Sequence, residues 1–184
     1  MAEPVKHILL IRFSSLGDVA MTVPVISVFS RSYPEVKISI LTKEQYAPLF
    51  SHLTGVDVID VSFQKGIRGL IGLFSLAKKI KTLEIDSIAD LHNVLRTKLL
   101  KLLLPGLNFS SLNKGRSEKR RLIKGKVFAP LKSTLERYAD VIRNLDFKLS
   151  LSDYYIKKPL ALTKEIQYQI SDFDKPMIGI APFA

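Results

Sequence analysis

The feature that most constrains the fold is an apolar segment near the N-terminus that runs directly into a turn of small residues and a carboxylate. Residues 8–11 are all apolar, which is typical of a strand covered by helices on both faces. Ser14, Ser15 and Gly17 allow a tight turn after this strand, and Asp18 follows where a helix begins. Because ligands of open α/β sheets bind outside the carboxyl ends of the strands, Asp18 is a candidate functional residue.

Asp18 has a second interpretation, which the sequence leaves open. Aspartate is favoured at helix N-termini, where its side chain accepts a hydrogen bond from a backbone N–H group. In that case Asp18 only caps the following helix and has no chemical role. The two interpretations differ in whether the carboxylate keeps free lone pairs beside an open groove.

Short apolar runs alternate with helical patterns along most of the chain. This alternation predicts repeated βαβ units, and therefore an α/β fold with a Rossmann-like, mostly parallel sheet that has helices on both faces. The predicted strands span residues 7–12, 37–41, 56–61, 87–91 and 177–181, with a weaker candidate at 107–112. The predicted helices span residues 19–31, 43–50, 68–82, 97–104, 134–144 and 163–170.

The C-terminal part of the chain differs in character from the rest. Residues 172–176 are typical of a linker, and the apolar run at 177–181 lies almost at the end of the sequence. We therefore expect a Rossmann-like domain over residues 1–160. Residues 161–184 are expected to hold an interdomain linker and the first strand of a truncated second domain, so that the chain is one half of a longer two-domain protein.

Composition argues against several classes of protein. The 184 residues are 47% hydrophobic and 24% charged, which describes a globular core rather than a disordered chain. There is no cysteine, and the histidines at 7, 52 and 92 have no metal-ligand spacing, so no structural metal is expected. No apolar run approaches the roughly 18 residues needed to span a bilayer, and no signal-peptide pattern is present, so we expect a cytoplasmic protein.

Positive charge is concentrated in one segment of the chain. The sequence has 28 Lys and Arg against 17 Asp and Glu, a formal net charge of +11, which favours anionic partners. Seven of the cations lie in residues 113–126, where Gly115 and Gly125 favour a loop. The segment is either a solvated face or a surface that binds phosphate-rich material, such as an anionic glycolipid or membrane. Nucleic acid is less favoured, because interleaved aromatic residues are missing.

The predicted helix at 68–82 also allows two interpretations. Its apolar residues recur at three- and four-residue spacing, which favours packing on the sheet. Lys78, Lys79 and Lys81 leave a helix on a membrane surface as the alternative.

A second polar group follows the predicted strand at 87–91. His92 and Asn93 are expected at the same sheet edge as Asp18, so the two loops should share a cleft. His92 by itself is more often a hydrogen-bonded loop residue than a catalyst. Arg96, one helical turn later, is a candidate clamp for a carboxylate or a phosphate.

Three parts of the sequence resemble a known family. Residues 8–19 (ILLIRFSSLGDV), followed by TVPV at 22–25 and RSYP at 31–34, resemble the N-terminal signature of the ADP-heptose:lipopolysaccharide heptosyltransferases, glycosyltransferase family 9. Residues 90–97 (DLHNVLRT) resemble the second N-terminal motif of that family, and residues 178–182 (IGIAP) resemble the strand that opens its C-terminal domain.

The resemblance implies a GT-B architecture, in which two Rossmann-like domains face each other across a cleft and this chain is the N-terminal, acceptor-side half. It implies inverting transfer of heptose from ADP-heptose to a sugar hydroxyl of the lipopolysaccharide inner core, with no cofactor and no required metal. Asp18 would be the general base, and Ser14, Ser15 and Gly17 would shape the turn around the ligand. The donor would bind through the C-terminal domain, so the isolated chain is expected to be inactive.

The expected partners follow from this resemblance and from the charge. They are the inner-core acceptor, ADP-heptose and the cytoplasmic face of the inner membrane. An acceptor that bears carboxylates and phosphates suits the basic segment, in which Arg116 and Arg120 are the substrate-binding candidates alongside His92, Asn93 and Arg96. Two other functions stay open: a non-enzymatic basic module for anionic glycolipid or nucleic acid, and a related transferase with a different nucleotide-sugar donor.

Overall fold

The computed structural model describes residues 7–60, 69–153 and 163–171. The strands are β1 (His7–Ile11), β2 (Lys37–Thr42), β3 (Val56–Asp60), β4 (Ser87–Asp90) and β5 (Asn108–Ser111). The α-helices are α1 (Leu16–Ala20), α2 (Thr22–Ser32), α3 (Gly69–Lys81), α4 (Leu95–Leu103), α5 (Arg116–Ile123), α6 (Thr134–Arg143) and α7 (Lys164–Ile170). Two 3-10 helices cover Glu44–Phe50 and Leu151–Asp153.

The strands β1 to β5 form one parallel sheet in the order β3-β2-β1-β4-β5. The central strand β1 is buried along its whole length, as its uninterrupted apolar run predicts. Its neighbours β2 and β4 pair with it on opposite sides, so that Ile8 lies beside both Ile38 and Ser87. The strand order reverses between β1 and β4, and the crevice outside their carboxyl ends is where open α/β sheets bind ligands.

Alternate residues of β1 contribute to two separate cores. Ile8 and Leu10 pack in a core with α2 and α6 on one face of the sheet. Leu9 and Ile11 pack in a core with α3 and α4 on the other face. The structure therefore confirms the predicted α/β, Rossmann-like fold, with helices on both faces of a parallel sheet.

Helix α6 shows how the first of these layers is built. The side chain of Ser133 caps its N-terminus by accepting a hydrogen bond from the N–H of Glu136 at 3.2 Å. On its outer side, Arg143 contacts Glu136 at 2.7 Å and Asp140 at 2.9 Å. Lys132, just before the helix, also contacts Asp140 at 2.6 Å. The carboxylates of this helix are thus paired with nearby cations.

Two predicted elements differ in kind from the observed ones. The single helix predicted at 19–31 is wrong, because the chain forms two helices, α1 and α2, that meet at Met21. Pro24 occupies the first turn of α2, where its missing N–H group costs no intrahelical hydrogen bond. The segment at 43–50 is helical as predicted, but in the 3-10 form. The strand predicted at 177–181 lies outside the described residues.

The loop predicted within the basic segment 113–126 is also wrong, because this segment contains α5. Gly115 and Gly125 have positive φ angles of 61° and 66° and flank the helix, so they set its ends rather than preventing it. Arg137 of α6, which the sequence pattern directs toward water, is buried and holds Glu118 of α5 at 2.5 Å. The partner of Arg137 thus lies on a helix in a segment that was predicted to be a loop.

The chain forms two compact units, residues 1–154 and 155–184. The sheet belongs to the first, and the described part of the second contains α7, whose N-terminus is capped by Thr163. The interpretation of residues 161–184 as a linker with a strand of another domain stays a prediction. Within the three described ranges, no helix has both the length and the apolar character needed to cross a membrane.

Candidate active site at the end of the central strand

Arg12 and Asp18 form an ion pair just beyond the carboxyl end of β1. Nη2 of Arg12 lies 2.5 Å from Oδ2 of Asp18. The arginine side chain is only 7% exposed, whereas the aspartate side chain is 38% exposed. Nη1 of Arg12 also donates to the backbone carbonyl of Leu91 at 2.6 Å, which links the chain after β1 to the chain after β4. The guanidinium therefore fixes the carboxylate at the crevice between these two strands.

Helix α6 supports both members of this ion pair. The guanidinium carbon of Arg12 lies 5.7 Å from the centre of the Tyr138 ring, within the range of a cation–π interaction. The Tyr138 hydroxyl donates to the backbone carbonyl of Asp18 at 3.4 Å. Because Tyr138 is fully buried, it holds the two residues against the core.

Asp18 also caps α1, as one interpretation of the sequence proposed. It occupies the third helical position after Ser15, and its Oδ2 accepts from the Ser15 backbone N–H at 3.4 Å and from the Ser15 hydroxyl at 3.1 Å. These contacts of the carboxylate all reach Oδ2, and Oδ1 has no hydrogen-bond partner within residues 7–60, 69–153 and 163–171. Capping thus occupies one oxygen of Asp18 and leaves the other available to a ligand.

The charge state of Asp18 follows from competing effects. Burial raises the pKa of its carboxyl group, but the positive charge of Arg12 and the hydrogen bonds from Ser15 outweigh burial, so the pKa lies below its ordinary value. Asp18 is therefore ionised at neutral pH.

The small residues of the turn have different roles. Ser14 and Ser15 are joined by a cis peptide bond, and Ser15 supplies the contacts to Asp18. Gly17 lies within α1, and a methyl group there would meet nothing within 4 Å. The backbone does not require a glycine at this position, and the space above it is open beside Asp18.

His92 lies at the same crevice, on the chain that follows β4. Its Nε2 is 3.5 Å from the Ser14 hydroxyl, and its ring packs edge-on against Phe13 with ring centres 5.9 Å apart. Its Nδ1 is buried and has no hydrogen-bond partner in the described structure. Burial, together with the positive charges of Arg12 and Lys114, lowers the pKa of His92 to about 4. His92 is therefore neutral at physiological pH.

Asp90 organises the loop that carries His92. It is buried at the end of β4, and its Oδ1 accepts from the backbone N–H groups of His92 at 3.0 Å and Asn93 at 2.8 Å. Asn93 has a φ of 45°, and its side-chain amide donates to the carbonyl of Leu112 at 2.7 Å. This amide thus connects the chain after β4 to the chain after β5.

A polar cavity of about 470 Å³ opens beside this loop, at the carboxyl end of β5. Its lining includes Asn93, Lys98, Asn113, Lys114, Arg116 and Ser117, and none of the described residues that line it is acidic. Burial and the neighbouring charges of Arg116 and Arg12 lower the pKa of Lys114, although Asp90 and Asp18 oppose this effect. A pocket of this composition suits an anionic group such as a carboxylate or a phosphate.

The structure brings most of the predicted site residues together. Ser14, Ser15, Asp18, His92 and Asn93 lie at the crevice between β1 and β4, which confirms that the two loops share it.

The predicted arginines are distributed differently. Arg116 lines the polar cavity, whereas Arg96 on α4 and Arg120 on α5 are exposed and do not line it. The roles of these residues in substrate binding stay predictions.

Arg12, Lys98 and Tyr138 are not among the predicted site residues, and Lys114 is predicted only as one of the cations of the basic segment 113–126. Arg12 could have been found, because a cation directly after a buried strand and six positions before an aspartate can reach that carboxylate. Tyr138 gave no such signal, since its contact with Asp18 spans 120 residues of sequence.

The fold and the crevice define an open α/β domain whose candidate ligand site lies at the reversal of strand order. No protein-family model and no curated protein matches the sequence. Solved structures do match its fold. A family 9 glycosyltransferase from Veillonella parvula has a TM-score of 0.63 at 19% identity, over 93% of this chain and 49% of that one.

Two E. coli enzymes are similar in the same way. Heptosyltransferase WaaC, solved with ADP-2-deoxy-2-fluoro heptose, has a TM-score of 0.57 at 18% identity, over 77% of this chain and 49% of its own. ADP-heptose lps heptosyltransferase II has a TM-score of 0.53 at 20% identity, over 91% of this chain and 50% of its own. The chain thus spans about half the length of these structures, and it has the fold of part of a GT-B glycosyltransferase, as the resemblance implied.

Proposed function

We propose that this chain is the acceptor-side half of an inverting glycosyltransferase, with Asp18 as its general base. One observation carries the proposal: an ionised carboxylate is held through Oδ2 by Arg12 and Ser15 at the crevice where the strand order reverses, while Oδ1 accepts no hydrogen bond from the described residues. A base needs this combination of fixed position and one free oxygen.

The proposed step uses Oδ1 of Asp18 directly. The hydroxyl oxygen of the acceptor attacks the anomeric carbon of the donor sugar, and Oδ1 takes the hydroxyl proton. The bond between the anomeric carbon and the diphosphate breaks on the opposite face, and its electron pair leaves with the diphosphate, so the configuration inverts. Because the pKa of Asp18 is low, its carboxylate takes the proton only as the new bond forms.

The acceptor proposed is a sugar of the lipopolysaccharide inner core, and the donor proposed is ADP-heptose. The sequence resemblance supports both, and two of the similar structures are E. coli heptosyltransferases. The polar cavity supports an anionic acceptor, since Lys98, Lys114 and Arg116 all line it. The proposal includes no metal or other cofactor, assigns donor binding to a second domain, and places the reaction at the cytoplasmic face of the inner membrane.

A binding experiment on the chain tests the acceptor part of the proposal. The probe is O-deacylated, heptose-deficient lipopolysaccharide, which is soluble and therefore separates sugar recognition from membrane binding. Lys98→Gln/Lys114→Gln should weaken binding about tenfold or more, because each lysine contributes a charge-assisted contact. The matched control, Lys37→Gln/Lys148→Gln, removes the same charge elsewhere and should bind normally. Equal losses in both pairs, or stronger binding to DNA than to this probe, would contradict the proposal.

A rate measurement tests the role of Asp18, and it requires the two-domain protein that the proposal implies. Asp18→Asn keeps the size of the side chain and removes its basicity, so kcat should fall by about 10²- to 10⁴-fold while acceptor affinity changes little. Glu136→Gln, a carboxylate substitution on the outer side of α6, serves as the control and should keep the normal rate. A normal rate in Asp18→Asn would overturn the assignment of the base.

A further inference from the structure

Helices α3 and α4 pack side by side on one face of the sheet. Each helix has buried apolar residues on the side facing the sheet and exposed apolar residues on the opposite side. The inner sets are buried in the core and include Leu73, Leu76, Ala77, Ile80 and Leu100. The outer residues include Ile71 (84% exposed), Phe74 (58%), Leu95 (74%) and Leu102 (76%). We call this outer side, with the cations described next, the α3–α4 surface.

The charges of the α3–α4 surface have one sign. Neither Gly69–Lys81 nor Leu95–Leu103 contains an acidic residue. The two helices carry the cations Lys78, Lys79, Lys81, Arg96, Lys98 and Lys101, all of them exposed. In the described part of the chain, none of these lysines lies within salt-bridge distance of a carboxylate.

We infer that the α3–α4 surface docks onto a lipid bilayer that contains anionic headgroups. The exposed apolar side chains would enter the boundary between headgroups and acyl chains, and the lysines would contact the phosphates at the level of the headgroups. The charge distinguishes between two partners for this surface. A second copy of this chain, bound through the same surface, would place six positive charges against six others, whereas an anionic bilayer neutralises them.

The position of the surface also agrees with an acceptor embedded in a membrane. Lys98 belongs to α4 and at the same time lines the polar cavity, so a bilayer in contact with α4 lies next to the cavity. This docking goes beyond the proposed function: of the residues of the α3–α4 surface only Lys98 also lines the proposed acceptor pocket, and the vesicle experiments below leave Lys98 unaltered.

Vesicle co-sedimentation of the chain tests the inference. The chain should bind vesicles of equal parts phosphatidylglycerol and phosphatidylcholine and should bind pure phosphatidylcholine much more weakly. Lys78→Gln/Lys79→Gln should weaken binding about 25-fold, on the basis of about 1 kcal/mol for each cation near an anionic surface. The matched control, Lys132→Gln/Lys148→Gln, should bind within about twofold of the unaltered chain, since these two lysines flank α6, which covers the opposite face of the sheet. Equal losses in the two pairs would overturn the inference in favour of a general charge effect.

Insertion of the apolar residues is tested separately. Ile71→Ser/Phe74→Ser should weaken vesicle binding about tenfold or more without changing thermal stability, because both side chains are exposed. Leu95→Ser/Leu102→Ser provides a second pair on α4, in case the first disturbs folding. Unchanged binding in both pairs would overturn the inference, as would a dimer in sedimentation velocity that either pair abolishes.

The sequence contains no tryptophan, so a single introduced tryptophan reports the environment of one position. The fluorescence of Phe74→Trp should shift to the blue when phosphatidylglycerol vesicles are added and should be quenched by brominated lipid. Ser32→Trp, at the exposed end of α2, should show neither change. Equal responses at the two positions would contradict docking through α3 and α4.

Discussion

The two helical layers that cover the sheet, one containing α6 and the other containing α3 and α4, differ in whether their charged residues are paired. On α6 the carboxylates and the arginines pair with one another or with α5, as in the contacts of Arg143 with Asp140 and of Arg137 with Glu118. On α3 and α4 every charged residue is a cation, and the cations surround exposed apolar side chains. The first layer satisfies its polar groups internally and supports the site, whereas the second offers its outer side to a partner.

The candidate site lies at the edge of the sheet and contacts the cores beneath both layers. Arg12 lies against Tyr138 of the α6 layer, and its neighbour Phe13 belongs to the core beneath α3 and α4. Successive residues of an extended chain point to opposite faces, so the two residues that follow the central strand connect the site to both layers.

The comparison between the layers is tested most strongly by truncating one aromatic side chain in each layer. Tyr138→Ala should lower the free energy of unfolding by about 3–5 kcal/mol, because it leaves a large cavity and removes support from Asp18 and Arg12. Phe74→Ala, the aromatic control on the exposed side of α3, should change it by less than about 0.5 kcal/mol. Urea unfolding measures both, and similar effects would contradict the assignment of Tyr138 as support for the site.

Replacing Arg12 tests the electrostatic part of the site while leaving the α6 layer intact. Arg12→Met should cost about 2–3 kcal/mol of stability, because it removes the ion pair with Asp18 and the hydrogen bond to the Leu91 carbonyl. The pKa of Asp18 should rise, since the largest effect that lowers it is lost. Carboxyl-carbon NMR of Asp18 across an acid titration measures this, and an unchanged pKa would contradict the electrostatic role of Arg12.

Lowering the pH should reduce the free energy of unfolding through the protonation of His92. The unfolded chain takes up a proton near pH 6.5, whereas the folded chain resists it until about pH 4, so the unfolded state binds more protons in this range. Stability is therefore complete above pH 6.5 and falls by about 2 kcal/mol toward pH 4, after allowance for the partial exposure of the ring.

The variant His92→Gln should flatten this dependence. Some slope should remain, because burial also lowers the pKa of His7. Urea unfolding at several pH values measures both proteins, and the same slope in the variant and the unaltered chain would contradict the assignment to His92.

The smallest expected effects come from single surface charges, one from each layer. Arg143→Gln should cost about 0.5–1 kcal/mol and leave vesicle binding unchanged, because its partners are two carboxylates of its own helix and the carbonyl of Leu149, all away from α3 and α4. Lys79→Gln should leave stability within about 0.3 kcal/mol and weaken vesicle binding about fivefold. If Arg143→Gln weakened vesicle binding as much as Lys79→Gln, the distinction between the layers would not hold.

Much of the fold was predictable because burial on both faces leaves a strong pattern in the sequence. The apolar runs of β1, β2 and β4 gave strands whose ends are correct to within one residue, and parallel strands place their carboxyl ends at one edge. The meeting of the Asp18 and His92 loops follows from that rule alone.

The errors have physical causes too. Gly115 and Gly125 favour a loop by their residue type, but Gly115 lies one residue before α5 and Gly125 two residues after it, where their left-handed backbones set the ends of that helix. The charged residues between them gave no apolar stripe, and in fact no residue of α5 is buried.

Long-range contacts account for the rest of what was missed. Arg137 pairs with Glu118 of α5, 19 residues earlier in the sequence, and Tyr138 contacts Asp18, 120 residues earlier. Neither contact leaves a periodic trace in the sequence, so local patterns identified Asp18 without its supports.

The strand order also has a consequence for how the protein is made. The middle of the sheet comes first in the chain, so a nascent polypeptide that has emerged as far as residue 60 can already align three neighbouring strands, with β1 at the rim. That rim stays uncovered until translation supplies Ser87–Asp90, and during this interval its unsatisfied amide and carbonyl groups are open to pairing with other chains. Slow synthesis between these two points should therefore promote aggregation more than slow synthesis anywhere after β4.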